Sequence, residues 1–214
     1  MPPRVECRVS AVLLAAGESR RMGARNKLTL SVNGVPLLRH TAQVLLASRL
    51  QEIVVVLGHD AQAMAALLED LPVTLVENPA YRDGQMGSVH AGLAALEGAR
   101  EGVMICLTDQ PLITPADVDS LIDAFARRSR GSILVPTHGG ARGNPIVLAD
   151  AHRQEILNGG RNLGCRRLIE GNPTLVETVE MADDHVVVDL DTPEDYRNLT
   201  RRLAPMSCPR QGAA

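Results

Sequence analysis

Short β-branched runs alternate along this chain with stretches whose apolar residues recur at helical spacing. Val9 to Leu14, Ile53 to Leu57, Val73 to Val76, Val103 to Leu107 and Ile133 to Val135 predict strands. Leu37 to Leu46, Ala61 to Leu68, Ser88 to Leu96 and Pro115 to Arg127 predict helices, the last opening on a Thr114 cap before Pro115. Strands that are apolar nearly throughout, separated by helices, imply a mostly parallel sheet covered on both faces and joined by right-handed crossovers. The expected fold class is therefore α/β, a three-layer α/β/α sandwich.

After Pro136 the rhythm changes. A Gly-rich loop (HGGARGNP) leads to a strand at Ile146 to Leu148, then to two short helices and a β-like pair at Leu175 to Glu180 and Val186 to Val188. This region, 136–190, is expected to form a cap over the strand ends and to pack on the same core, because no linker or low-complexity tract sets it apart. A final helix is expected to start at Thr192, capped before Pro193. Residues 1–204 read as one domain, and 205–214 (PMSCPRQGAA) as a frayed tail.

Composition narrows the partners. Of 214 residues only three are aromatic, one Phe and two Tyr with no Trp, so base stacking on aromatic platforms is excluded as a binding mode and no nucleic acid is expected. The formal charge of -3 gives no general attraction for polyanions or acidic lipid, so any phosphate site has to be local. Cysteines at positions 7, 106, 165 and 208 are too widely spaced for a CxxC metal site and read as reduced thiols. The apolar run from Val9 to Gly17 is too short to span a bilayer and lacks the flanks of a signal peptide, which places the protein in the cytoplasm, away from membranes.

Three segments carry candidate chemistry. The first strand runs straight into Ala15-Ala16-Gly17-Glu18-Ser19-Arg20-Arg21-Met22-Gly23, followed by Asn26-Lys27-Leu28. Small residues let backbone N–H groups approach a phosphate, and Arg and Lys add charge-assisted hydrogen bonds, so the loop reads as an anion cradle. It is neither a P-loop nor a dinucleotide fingerprint, since GxxxxGK[ST] and GxGxxG are both absent. Its other reading is a Gly-containing turn with solvated arginines. Asp109, in Thr108-Asp109-Gln110-Pro111, follows the carboxyl end of a buried strand, where open α/β sheets bind ligands; alternatively it caps the following turn. Asp191, in Asp189-Leu190-Asp191, either joins Asp109 in a hard-oxygen Mg²⁺ site or caps the helix at Thr192. His59, His90 and His138 read as packing or surface residues rather than bases.

Together, LAAGESRRMG with NKL, GQMGSVHAGL, LTDQPLI, RGNPIVL and VDLDTPEDY resemble, in order and over nearly the whole chain, the NTP transferases that make molybdenum-cofactor dinucleotides, above all the CTP:molybdopterin cytidylyltransferases. The resemblance implies a Rossmann-like nucleotidyltransferase with a mostly parallel sheet. It implies that Leu14, Ala15, Ala16, Gly17 and Gly23 hold the nucleotide, with Gly58 and Ser88 near base and sugar. Lys27, Arg21 and Asp109 would be catalytic, Asp109 and Asp191 would hold Mg²⁺ or Mn²⁺, and Arg142, Gly143, Asn144 and Pro145 would face the acceptor. The implied partners are CTP or GTP, the molybdopterin cofactor and a recipient molybdoenzyme. Many cytidylyltransferases of the group have GHP where this chain has Gly143-Asn144-Pro145. The AAG form of the loop, against AGG in guanylyltransferases, favours CTP, because a methyl at Ala16 narrows the base pocket. Three alternatives stand beside this: a guanylyltransferase for the same cofactor; a cytidylyltransferase for a sugar or methylerythritol phosphate, disfavoured by TDQP in place of HDAARP; and a cofactor-carrying chaperone, disfavoured by intact Arg21, Lys27 and Asp109.

Overall fold

The computed structural model describes residues 7–22, 26–129, 131–159 and 165–204. The proposed tail, Gly23 and Cys208 lie outside that set. An eight-stranded mixed sheet forms the middle layer. It is built from β1 (Val9–Ala15), β4 (Ile53–Leu57), β5 (Thr74–Glu77), β6 (Gly102–Leu107), β7 (Ile133–His138), β8 (Ala141–Arg142), β9 (Ile146–Ala149) and β10 (Val176–Glu180). A separate hairpin, β2 (Ser31–Val32) and β3 (Val35–Pro36), turns through Asn33-Gly34, both at positive φ, which is the backbone that a tight two-residue hairpin needs.

The strands run in the order β10-β7-β9-β6-β1-β4-β5, with β8 paired to β7. Burial follows that order: β1 and β4 are buried at every residue, whereas the edge strand β5 is mostly exposed. A strand flanked on both sides and covered on both faces has to be apolar nearly throughout, Ser10 being the one polar residue of β1. The expected α/β sandwich with a mostly parallel sheet is therefore the observed fold, with β1, β4, β5 and β6 parallel and β9 antiparallel to both β6 and β7.

One face is packed by α1 (Leu37–Leu46), α2 (Ala61–Ala66) and α4 (Pro115–Arg127), around Leu13, Leu38, Val55, Met104 and Phe125. The opposite face is packed by α3 (Gln85–Ala95), α5 (Asp150–Asn158) and α6 (Cys165–Gly171), around Val12, Val56, Leu93, Ile105 and Ile156. α7 (Pro193–Leu203) lays Leu199 on Leu37 and Val32 in a third, smaller cluster. The Thr114 and Thr192 caps hold: each hydroxyl accepts from the N–H three residues on, and the aspartate there answers, closing capping boxes on α4 and α7.

Two expectations change. Val186 to Val188 forms no strand; residues 184–187 make a single 3₁₀ turn that buries Val186, and the expected partner segment instead extends the sheet as β10 beside β7. Segment 136–190 likewise does more than sit over strand ends, since β9 and β10 are strands of the sheet itself. Apolar alternation in a short run signals burial but does not say which edge completes its hydrogen bonds. Cys7 and Cys106 are free thiols, the second buried deeply enough to push its ionisation up; the side chain of Cys165 lies outside the described set. None of the described helices is long and apolar enough to cross a membrane.

Candidate functional site

The chain leaves β1 in one direction, through β4 to β5, and then α3 carries it back across the opposite face to β6 on the other side of β1. The carboxyl ends of β1 and β6 thus bracket a topological switch point, where an open sheet leaves a crevice. β1 delivers the Ala15–Met22 loop there and β6 delivers Thr108 and Asp109. Thr108 is buried and its hydroxyl donates to the Leu14 carbonyl at 2.7 Å, which locks the two strand ends together.

The loop is shaped locally. Ser19 adopts a left-handed φ of 54°, its carbonyl accepts from Met22 N–H, and its hydroxyl accepts from Lys27 N–H at 3.1 Å. Asn26 caps the 3₁₀ turn Lys27–Thr29 by accepting from Leu28 N–H. These bonds aim Lys27 inward. Its Nζ lies 2.7 Å from Asp109 Oδ2 and 3.2 Å from Asp191 Oδ1. Arg21 reaches the other oxygen of Asp191 at 2.9 Å. Lys27 is 16% exposed and Asp109 and Asp191 are 22% and 24%, against 70% for Arg21, so the trio is sheltered while Arg21 faces solvent.

Asp191 does not cap α7. Thr192 does, and Asp195 accepts from the Asp191 and Thr192 N–H groups, so the Asp191 carboxylate is left to face Lys27 and Arg21. The preceding residue sets this position, because Leu190 N–H donates to the Asp109 carbonyl at 2.7 Å. Asp189 completes an acidic corner. Crowding by protein, then repulsion from Asp109 and Asp191, pushes its carboxyl up to about 6.

Two adjoining cavities open at this point. One, of about 260 Å³, is walled by Leu14, Ala15, Ala16, Gly17, Ser88 and Asp109, among others. The other, of about 320 Å³, is lined by the remainder of the loop with Lys27, Arg82 and Asp191. Gly17, Lys27 and Tyr81 line both. Ser88 reaches the first from α3 and is fixed by the Asn78 amide, which donates to its hydroxyl at 3.0 Å.

The expected residues do not all converge. Gly58 ends β4 against Ala16 and Tyr81, where a Cβ would come within 2.8 Å of the Ala16 Cβ; it allows close approach and lines neither cavity. Arg142 is exposed on β8, and Gly143, Asn144 and Pro145 line neither cavity. They lie beside the corner instead: Asn144 N–H and the Gln110 side-chain amide both donate to the Val186 carbonyl. His59, His90 and His138 are engaged by Tyr81, the Leu157 carbonyl and the Met181 carbonyl, and none lines the two cavities. Sequence reasoning missed Tyr81, Arg82, Gln85 and Glu18 as lining residues. Only the Pro-Gly-bounded loop NPAYRDG could have signalled Tyr81 and Arg82, the GQMGSVHAGL segment Gln85, and the loop after β1 Glu18.

Among the described residues no group of three or more His, Cys, Asp or Glu side chains is arranged to hold a metal ion. Mg²⁺ does not need one, since it keeps several waters and takes one or two carboxylates together with substrate phosphates. Asp109 Oδ1 is buried with no hydrogen-bond partner among the described residues, an acceptor that a hard cation would satisfy. Asp109 and Asp191 therefore fit such an ion.

Known proteins resemble this chain in sequence and in fold. The chain is 29% identical to nicotine blue oxidoreductase from Paenarthrobacter nicotinovorans, over 89% of this chain and 96% of that protein. It is 32% identical to the bifunctional protein GlmU of Allorhizobium ampelinum over 72% of this chain, spanning 31% of that longer protein. Its fold superposes on Rv0371c from Mycobacterium tuberculosis H37Rv with a TM-score of 0.78 at 24% identity, covering 92% of this chain and 99% of that one, and the mycobacterial protein is also known as a complex with manganese. A family model, the MobA-like NTP transferase domain, matches residues 11–201, and with the loop, the Lys27 cluster and the switch-point crevice in place the chain belongs to that family of nucleotidyltransferases.

Proposed function

We propose that this nucleotidyltransferase moves a cytidylyl group from CTP to the phosphate of molybdopterin, forming the cytosine dinucleotide cofactor and releasing pyrophosphate. The observation that carries the reading is the placement of Lys27 Nζ against Asp109 and Asp191 at the junction of the two cavities. A cation held by two carboxylates beside a loop of small residues suits a polyphosphate whose charge must be neutralised as it reacts.

An oxygen of the acceptor phosphate attacks the α-phosphorus, the bond from that phosphorus to the bridging oxygen breaks, and pyrophosphate leaves with the electron pair. The acceptor phosphate is already anionic at neutral pH, so no protein base is required, and the chain's work is positioning and charge neutralisation. The Ala15–Gly17 backbone and Arg21 hold the phosphates, and Lys27 faces the α-phosphate. Leu14, Ala16 and Ser88 wall the base and sugar. Mg²⁺, or Mn²⁺ as the mycobacterial neighbour's complex suggests, would sit on Asp109 and Asp191 and stabilise charge developing on the phosphates. Arg142, exposed on β8, and Asn144, whose N–H donates to the Val186 carbonyl, would supply the polar contacts to the acceptor. The product would pass to a recipient molybdoenzyme.

The test supplies Mg²⁺, molybdenum-loaded molybdopterin and either CTP or GTP, and quantifies pyrophosphate and dinucleotide. CTP should give both in equal amounts, and Asp109→Ala should lower the rate by about 10²-fold or more, as expected for loss of a charge-stabilising group. Preference for GTP would move the donor, and pyrophosphate formed only with a different phosphate acceptor would refute molybdopterin. The similarity to nicotine blue oxidoreductase carries a second, redox reading; reduction of nicotine blue by an added hydride donor, with matching oxidation of that donor and no NTP consumption, would establish it instead.

A further inference from the structure

The 320 Å³ cavity contains more charge than the mechanism uses. Four cationic side chains line it, Arg20, Arg21, Lys27 and Arg82, against two carboxylates, Glu18 and Asp191. Arg82 does not come from the loop after β1. It stands on the 3₁₀ turn Tyr81–Asp83, which is pinned to the sheet because Asn78 N–H donates to the Leu57 carbonyl and the Asn78 side chain accepts from Ala80 N–H. From there Arg82 Nε donates to Glu18 Oε1 at 2.8 Å, while Arg20 holds Glu18 Oε2 at 2.6 Å. One carboxylate thus ties two guanidinium groups across the mouth of the cavity, joining the loop to the turn.

We propose that Arg82 is a further substrate-binding residue that exchanges Glu18 for the terminal phosphates of the NTP, so that the Glu18–Arg82 pair is a substrate-displaced latch. The inference rests on the nucleotidyltransferase reading and adds a residue and an order of events to it. Three observations carry it. Arg82 is 68% exposed, and an ion pair of an exposed arginine contributes little by itself, so it yields readily to a better partner. A terminal phosphate offers several oxygens where Glu18 offers two, and a guanidinium fork binds phosphate in bidentate fashion. Glu18 has both oxygens on arginines that hold its ionisation below the usual carboxylate range, Arg82 foremost; once a polyphosphate enters, that carboxylate becomes the like charge that must swing away. The Tyr81 ring, 5.5 Å from the Arg82 guanidinium and lining both cavities, keeps the arginine over the crevice in either state.

Binding of CTP, CMP and inorganic triphosphate to the intact chain, measured by calorimetry, tests this without any acceptor. In Arg82→Gln the Kd for CTP and for triphosphate should each rise about tenfold, the loss expected for one charge-assisted contact, while the Kd for CMP stays put. In Glu18→Gln both triphosphate ligands should bind more tightly than to wild type. An Arg82→Gln variant that binds CTP within twofold of wild type, or that loses CMP as strongly as CTP, overturns the latch while leaving the nucleotidyltransferase reading intact. A wild-type chain that binds neither CTP nor triphosphate overturns both, and failure of transfer to molybdopterin with normal triphosphate binding overturns only the acceptor.

Discussion

Gly92 is where α3 comes down on the sheet, and adding one methyl there sets two effects against each other. Alanine favours a helix over glycine by about 1 kcal/mol, so Gly92→Ala should stabilise α3 taken alone. In place, the new Cβ would overlap the Val12 Cγ1 methyl and lie 2.8 Å from Val56 Cγ2. Both valines are fully buried on the central strands β1 and β4, and β-branched side chains have no spare rotamer to retreat into. The helix must lift instead. Overpacking of this kind costs about 1–3 kcal/mol, and two contacts below 3 Å against stiff partners place it at the upper end. The net expectation is a loss of about 2 kcal/mol, which for a chain of this size lowers Tm by about 4–8 °C. Urea unfolding should show a lower midpoint at unchanged slope. Because α3 also carries Gln85 and Ser88 into the 260 Å³ cavity, the KM for CTP should rise in the same variant. A variant as stable as wild type would refute the claim that close approach of helix and sheet, rather than helix propensity, selects glycine here.

Two further expectations follow from the site. Ala16→Gly removes a methyl from the wall of the 260 Å³ cavity and, if that cavity takes the base as proposed, should shift the CTP-to-GTP ratio of kcat/KM toward GTP by about tenfold, within the ~1–3 kcal/mol that such a group contributes; an unchanged ratio would mean that Ala16 does not select the donor. Asp189 is harder to ionise in the fold than in the unfolded chain, about 6 against 3.8, so the folded state holds the extra proton between those values and stability should fall as pH rises through that window. Asp189→Asn should flatten this slope and raise the urea midpoint at pH 7 relative to wild type. Equal pH dependence in the two proteins would show that the acidic corner is not electrostatically crowded.

The sequence by itself determined the layers. Runs such as Val9 to Leu14, apolar but for Ser10, and Ile53 to Leu57, apolar throughout, are tolerated only in strands covered on both faces, and Thr114-Pro115 and Thr192-Pro193 marked their helix starts because capping depends on neighbours within three residues. The loop after β1 and the aspartate after β6 were legible for the same reason: their chemistry is written in consecutive residues. Tertiary structure alone decided the rest. Lys27, Asp109 and Asp191 are separated by 82 and 164 positions along the chain from the lysine, and only the reversal of strand order around β1 brings them together. Asp191 turned out not to cap α7 but to face Lys27 and Arg21, a placement that rests on Leu190 bonding to the Asp109 carbonyl, a contact with no local signature. Val186 looked like a strand and became a turn, and Tyr81 and Arg82 looked like loop residues and became walls of the cavities, because burial and encounter are properties of the packed chain, whereas periodicity and capping are properties of neighbours along it.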